Sequence, residues 1–328
     1  MKYEIRTLSD FVRGQRSDYY VESKNGKEAI FDKNGRMVSP EWFDEISSDG
    51  LLYKQSKYYL ARKNGKWAIF DIKGNQITPQ WFDYIRKDGL VKGESNLYIA
   101  KKDDKNAIFD INGNQITKDW YDDISVEGLV KGQSPYYIVR KNGQSAIFDK
   151  DGNQITPEGL SAIYTTGLVK GQSKYYIAVK DGKEAVFDIN GNQISNLYDL
   201  IELDGLVKGQ SDCYVVKKDD KWAIFDVNGY KITPGWFDKI FLDGLVRGES
   251  DYYIACDGDT CAVYHRYGQK VSDNISREDL KGVKKITFNE NLGVAEIEKY
   301  GEPVMSIEFK PFSLNREEII DYTKLLNI

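Results

Sequence analysis

Apolar residues in this chain come in short blocks of four or five, separated by polar turns, and the blocks are apolar at adjacent positions. In Trp67-Ala-Ile-Phe, residues 67 and 69 point one way and 68 and 70 the other, yet all four are apolar; Tyr58-Tyr-Leu-Ala behaves alike. A strand with one solvated face alternates apolar with polar, so these strands are expected to be covered on both faces, as in sheets stacked face to face. One stretch serves for all. Gly89-Leu-Val-Lys predicts a first strand, Leu97-Tyr-Ile-Ala-Lys a second, Asn106-Ala-Ile-Phe-Asp a third and Gln115-Ile-Thr a short fourth, followed by Trp120-Tyr-Asp-Asp-Ile. Asn-Gly or Asp-Asp pairs between the second and third strands are hairpin-turn chemistry. Asp110 suits an Asx turn and Gly113 a positive φ. No helix-length amphipathic run interrupts the pattern.

The pattern repeats. Ala-Ile-Phe-Asp starts at Ala29, Ala68, Ala107, Ala146 and Ala223, with variants at Ala185 and Ala262. Gly-Leu-Val-Lys-Gly-Gln/Glu-Ser starts at Gly89, Gly128, Gly167 and Gly205, with variants at Gly50 and Gly244, at spacings of 38 or 39 residues. A worn first copy begins at Phe11. Seven copies of about 39 residues predict an all-β, seven-bladed β-propeller-like ring over residues 1–275, four to eight such blades being usual. Tyr3-Glu-Ile enters in the phase of a repeat's end, so it is expected to lend a strand to the seventh copy and close the ring, removing two sheet edges. An open, linearly stacked array is the alternative.

From residue 276 the period is lost, and residues 276–328 predict a small C-terminal α+β segment. Lys284-Lys-Ile-Thr-Phe, Gly293-Val-Ala-Glu-Ile-Glu and Val304-Met-Ser-Ile-Glu-Phe read as strands. Asn315 followed by Glu318 is a capping-box pattern that opens a helix to about Asn327. So short a segment is thin for a core of its own, so it is expected to be a cap or docking element on the repeats.

Two segments, Asn64-Gly-Lys-Trp-Ala-Ile-Phe-Asp-Ile-Lys-Gly-Asn-Gln-Ile-Thr-Pro and Asp220-Lys-Trp-Ala-Ile-Phe-Asp-Val-Asn-Gly, resemble the bacterial WG (KWG) repeats. The resemblance extends over about residues 10 to 275. Ala68 and Ala223 stand where that family has its namesake Gly, and only Trp67 and Trp222 keep the Trp; the other copies carry Glu28, Asn106, Ser145, Glu184 and Cys261 there. The resemblance implies β-sheet interaction modules and no catalytic residues.

Composition narrows the chemistry. The chain has 328 residues, a net charge of −5, 41% apolar residues, three Cys and one His. The balance gives no general attraction to nucleic acid or anionic membrane, and no apolar stretch approaches a membrane span. The start of the chain lacks the pattern of a secretory signal, so a cytoplasmic location is expected. Abundant Lys, Asn, Ile and Tyr suit an AT-rich bacterial genome or its phage. A single His removes most His-based catalysis and zinc binding, and there is no phosphate loop, dinucleotide fingerprint or nucleophile elbow. No enzyme activity, cofactor or metal is expected.

Residues repeated in every copy form the candidate sites. One series is basic: Arg13, Lys92, Lys131, Lys170, Lys208 and Arg247. If Gly-Leu-Val-Lys-Gly is the innermost strand, these heads surround a channel mouth and attract an anion; otherwise they pair with acids of a neighbouring blade. Trp42, Trp81, Trp120 and Trp236 form a second series, placed either to stack sugars and partners or to pack between blades. Its losses are informative: the fourth copy has Gly159-Leu-Ser and the fifth Leu197-Tyr-Asp. Asp32, Asp71, Asp110, Asp149, Asp188 and Asp226 precede turn glycines and are expected to be structural. Cys256 and Cys261 flank a hairpin turn and are expected to remain free thiols, as is Cys213, and His265 replaces the turn Asp of the last copy. These readings favour a monomeric, non-enzymatic scaffold that presents a propeller face to another protein. The alternative is a propeller that holds an anion, nucleic-acid strand or glycan at the Lys/Arg and Trp series.

Overall fold

The computed structural model describes residues 4–5 and 17–312. Arg13 and the rest of the worn first motif up to Arg16, and the helix expected after Asn315, lie outside the described residues. The described chain is all-β, with eight small antiparallel sheets. Helix among the described residues is limited to one turn at Asp49–Leu52 and a 3-10 turn at Glu278–Leu280. The chain divides into two compact units, Met1–Gly171 with Ile189–Gly191, and Gln172–Asp188 with Asn192–Ile328.

One sheet of the first unit shows how a copy folds. Strands Leu97–Lys102 and Lys105–Asp110 form a hairpin with Ile99 opposite Ile108 and Ala100 opposite Ala107. Asp103 and Asp104 connect them at φ 51° and 60°, the two-residue turn whose twist suits a hairpin. The central residues are buried on both faces of the hairpin, Tyr98, Ile99 and Ala100 with Ala107, Ile108 and Phe109. The edge strand, Tyr84–Ile85, comes from the end of the preceding copy, with Tyr84 opposite Lys101. On the other side the sheet fades into single bridges, Phe109 to Gln115 and Asn106 to Tyr121. Gln115-Ile-Thr is therefore one bridge and not a strand.

Gly89-Leu-Val-Lys is not a strand either. Residues 88–93 form a tight turn in which the Glu94 N–H donates to the Gly89 carbonyl at 2.9 Å and the Gly93 N–H to the Leu90 carbonyl at 3.1 Å. Gly89 and Gly93 take φ of 79° and 72°, a backbone that a strand does not use and that glycine adopts without penalty. Leu90 and Val91 are still buried; the turn carries them inward as a strand would have.

Glu4–Ile5 pairs with Tyr19–Lys24, Glu4 opposite Ser23 and Ile5 opposite Glu22. The N-terminal segment thus supplies the edge strand of the first copy's sheet, not of the seventh's, in the same manner as Tyr84–Ile85 serves its successor. Each edge strand belongs with the copy that follows it. The seventh sheet gains its fourth strand from Ile275–Ser276, directly after the repeat.

In the second unit, strands Val283–Asn289, Val294–Lys299 and Met305–Glu308 form the last sheet. Its inner residues Ile286, Ala295, Ile297 and Ile307 share a core with Tyr252, Ile254, Cys256, Cys261 and Val263 of the seventh copy. Phe288 takes the place that a following copy's Val occupies elsewhere: a Cβ on Gly244 would lie 2.5 Å from its ring, and one on Gly205 lies 3.3 Å from Val246 Cγ1. The Phe312 N–H donates to the Tyr252 hydroxyl at 2.8 Å, and the Lys310 N–H to the Val271 carbonyl at 2.9 Å. The C-terminal sheet covers the outgoing face of the seventh copy.

Candidate functional site

The repeated Gly-Leu-Val-Lys-Gly-Gln-Ser box joins neighbouring copies. Its Ser hydroxyl donates to the Val carbonyl of the next box: Ser56 to Val91 at 2.6 Å, Ser95 to Val130 at 2.5 Å and Ser134 to Val169 at 2.6 Å in the first unit. In the second unit Ser173 donates to Val207 and Ser211 to Val246, both at 2.7 Å. The Gln or Glu closes its own turn, as the Gly128 N–H donates to Gln133 Oε1 at 2.8 Å and the Gly89 N–H to Glu94 Oε2 at 2.7 Å. The last Gly lets one turn sit on another. A Cβ on Gly93 would fall 2.0 Å from the Gln55 carbonyl oxygen, and one on Gly248 2.0 Å from that of Gln210.

The basic series lies on these turns, and its heads meet carboxylates four residues earlier. Lys92 binds Asp88 at 2.7 Å, Lys131 binds Glu127 at 2.7 Å and Lys208 binds Asp204 at 2.5 Å. Arg247 bridges Asp243 at 2.6 Å and Asp204 of the preceding copy at 3.0 Å. Lys170 has Thr166 at that spacing. The hydrogen bonds to Asp88 and Glu127 raise the Lys92 and Lys131 ammonium groups above their ordinary value. Burial pushes Asp204 upward, but the donors of Lys208 and Arg247 outweigh it and leave the carboxyl below its usual range. At Asp243 burial prevails over Arg247 and the carboxyl is raised. Four of the series, Lys92 and Lys131 in the first unit and Lys208 and Arg247 in the second, are thus compensated by acids at i−4.

Three of the four Trp pack between copies. Trp81 lies 5.9 Å from Phe70 of its own copy and 6.1 Å from Phe43 of the preceding one. Trp120 stands likewise against Phe109 and Phe82, and Trp236 against Phe225 and Tyr198. Trp42 lies 5.9 Å from Phe31. All four are half-buried. Among the described residues, the two series therefore present mostly paired charges and ring edges.

The turn aspartates do structural work. Asp149 Oδ1 accepts the N–H groups of Asp151 at 3.0 Å and Asn153 at 2.8 Å; led by the Asn153 N–H, these donors hold its carboxyl low. No group of three or more potential metal ligands occurs among the described residues. Cys256 and Cys261, expected as free thiols, are joined in a disulfide. They stand directly opposite each other in the hairpin, with Cα atoms 3.9 Å apart. The hairpin register places the two sulfurs together. Cys213 is free and buried, and burial pushes its thiol up to about 11. His265 is buried with its ring 4.1 Å from that of Phe312, and burial lowers it to about 4. It packs as a neutral ring.

No helix among the described residues is long and apolar enough to cross a membrane. No protein-family model matches the chain, and no curated protein does. Among solved structures, it is similar to the propeller-like BamB from Moraxella catarrhalis, at 16% identity and a TM-score of 0.28 over 96% of this chain and 98% of that one. Hsv2 of Kluyveromyces lactis is 12% identical at a TM-score of 0.29, over 90% and 96%. AztD from Citrobacter koseri is 12% identical at 0.30, over 91% and 90%. Superpositions at that level carry no functional argument.

Proposed function

We propose that this protein is a non-enzymatic protein–protein interaction scaffold, a propeller-like array of seven repeat sheets that holds a partner on its surface. One observation carries the reading: most of the polar and charged side chains repeated from copy to copy are engaged inside the fold, within a copy or between neighbours. Ser134 reaches Val169, Lys131 holds Glu127 and Gln133 closes its own turn. Residues spent on assembly in every copy are unavailable for chemistry, so recognition falls to positions where the copies differ. The resemblance to WG repeats agrees with this. An anion, nucleic-acid strand or glycan on the basic and Trp series is the weaker reading, because it has to compete with the carboxylates already in place. Affinity purification from the native host, with mass spectrometry of protein and nucleic acid together, tests the proposal. A protein recovered in near-stoichiometric amount supports it; nucleic acid alone, or no enrichment, overturns it.

A further inference from the structure

Three copies close the seam to their predecessor with an aromatic triangle. Phe43, Phe70 and Trp81 stand 5.2, 5.9 and 6.1 Å apart. Phe82, Phe109 and Trp120 stand at 5.2, 5.9 and 6.3 Å. In the second unit Tyr198, Phe225 and Trp236 stand at 5.7, 6.2 and 6.3 Å. The fourth copy keeps two corners, Tyr121 and Phe148 at 6.1 Å, but the third is Gly159. A Cβ placed on Gly159 meets no atom within 4 Å.

Burial at the neighbouring alanine differs. Ala68, Ala107 and Ala223 of the three complete copies are fully covered, whereas Ala146 is half-buried. Phe148 is half-buried, as is Phe225 of a complete triangle. The walls remain in place without the indole, since Tyr137 still stacks on Phe148 at 5.8 Å. At the rim, the Lys141 ammonium lies 5.9 Å from the Tyr121 ring centre, bound to Asp119.

We propose that this notch is a binding seat for an aromatic side chain, tryptophan foremost, donated by a protein partner. The seat continues an established interface: Tyr121 and Phe148 pair as Tyr198 and Phe225 do, at 6.1 Å against 5.7 Å, and lack the indole that completes the set elsewhere. Aromatic anchors entering preformed apolar notches dominate many interfaces, and two ring walls favour a ring over an aliphatic chain. The inference rests on the scaffold reading only in assigning the ring to a protein.

The test titrates the full chain, its alanine methyls 13C-labelled, with N-acetyl-tryptophanamide. The expected result is a saturable shift of the Ala146 methyl with a dissociation constant on the order of 1 mM. Gly159→Trp should weaken it at least tenfold by filling the seat. Gly159 has φ +83°, so that variant has to recover the backbone of its siblings. Phe148→Leu, which removes one wall and keeps the apolar volume, should weaken binding several-fold and decides the matter if Gly159→Trp does not fold. No saturable shift at Ala146, or undiminished binding in the folded variants, overturns the seat. A chain that binds the probe but captures no protein keeps the seat and ends the scaffold reading. One that captures protein and ignores the probe does the reverse.

Discussion

The hydroxyl of Ser134 donates to the carbonyl of Val169, 35 residues further on, at 2.6 Å, while accepting the Tyr136 N–H at 3.2 Å. One oxygen thus fixes the start of its own strand and the turn of the next copy. Ser134→Ala leaves the carbonyl of a fully buried residue without this donor. Losing a partner at a buried acceptor costs about 1–2 kcal/mol. The denaturant midpoint should fall accordingly with an unchanged slope.

Two glycines of similar backbone should respond differently to a methyl group. Gly65 and Gly93 have φ of 78° and 72°, but a Cβ on Gly65 meets nothing within 4 Å and one on Gly93 lies 2.0 Å from the Gln55 carbonyl oxygen. Gly65→Ala should cost about 1 kcal/mol for the left-handed backbone alone. Gly93→Ala adds overpacking of about 1–3 kcal/mol. Equal melting temperatures for the two variants would argue against close stacking of the turns.

The ion pairs of the basic series should differ in weight. Arg247 serves Asp243 and Asp204, whose side chains are only 10% and 12% exposed. Arg247→Met leaves the Asp243 carboxylate without its cation, while Asp204 keeps Lys208, and should cost about 3 kcal/mol. Lys92 and Asp88 are 45% and 25% exposed, so Lys92→Met should cost less than about 1 kcal/mol. Urea unfolding of the two variants measures the contrast.

His265 gives the fold a pH dependence at the C-terminal sheet. Burial, the largest influence, lowers its pKa from 6.5 to about 4. The unfolded chain therefore takes up the proton at higher pH than the folded one. The contribution is fully present above pH 6.5 and is lost as the pH falls from there toward 4. Melting temperature should decline across that window in the native chain. His265→Phe, which keeps the stacking on Phe312, should flatten that part of the profile.

Local features of the sequence translated directly into structure. Two-faced strands, Asp-Asp and Asn-Gly hairpin turns and the aspartate of each Asx turn depend on near neighbours, and the repeat presents them many times over. Gly89-Leu-Val-Lys misled because Leu and Val suit a strand, while the glycines that bracket the segment at 89 and 93 carried the turn signal. The acid of each such ion pair was equally visible, four residues before its base. Pairing phase was not, because an edge strand at Tyr84–Ile85 fits the same period whether it joins its own copy or the next. Phe288 on Gly244 follows from a contact beyond the repeat that no single copy encodes, whereas Cys256 and Cys261 meet through the register of their own hairpin. Gly159 stood out in the sequence as a lost Trp, but only the surviving walls at Tyr121 and Phe148 show that the loss leaves a space.

The most direct test of the account, in which repeated residues assemble the fold and departures from the repeat recognise a partner, is parallel affinity capture with the native chain, Gly159→Trp and Lys131→Met. Recovered protein is quantified by mass spectrometry for all three. A protein retained by the native chain and Lys131→Met, and lost from Gly159→Trp, is the predicted result. A partner lost from Lys131→Met and kept by Gly159→Trp would contradict the account.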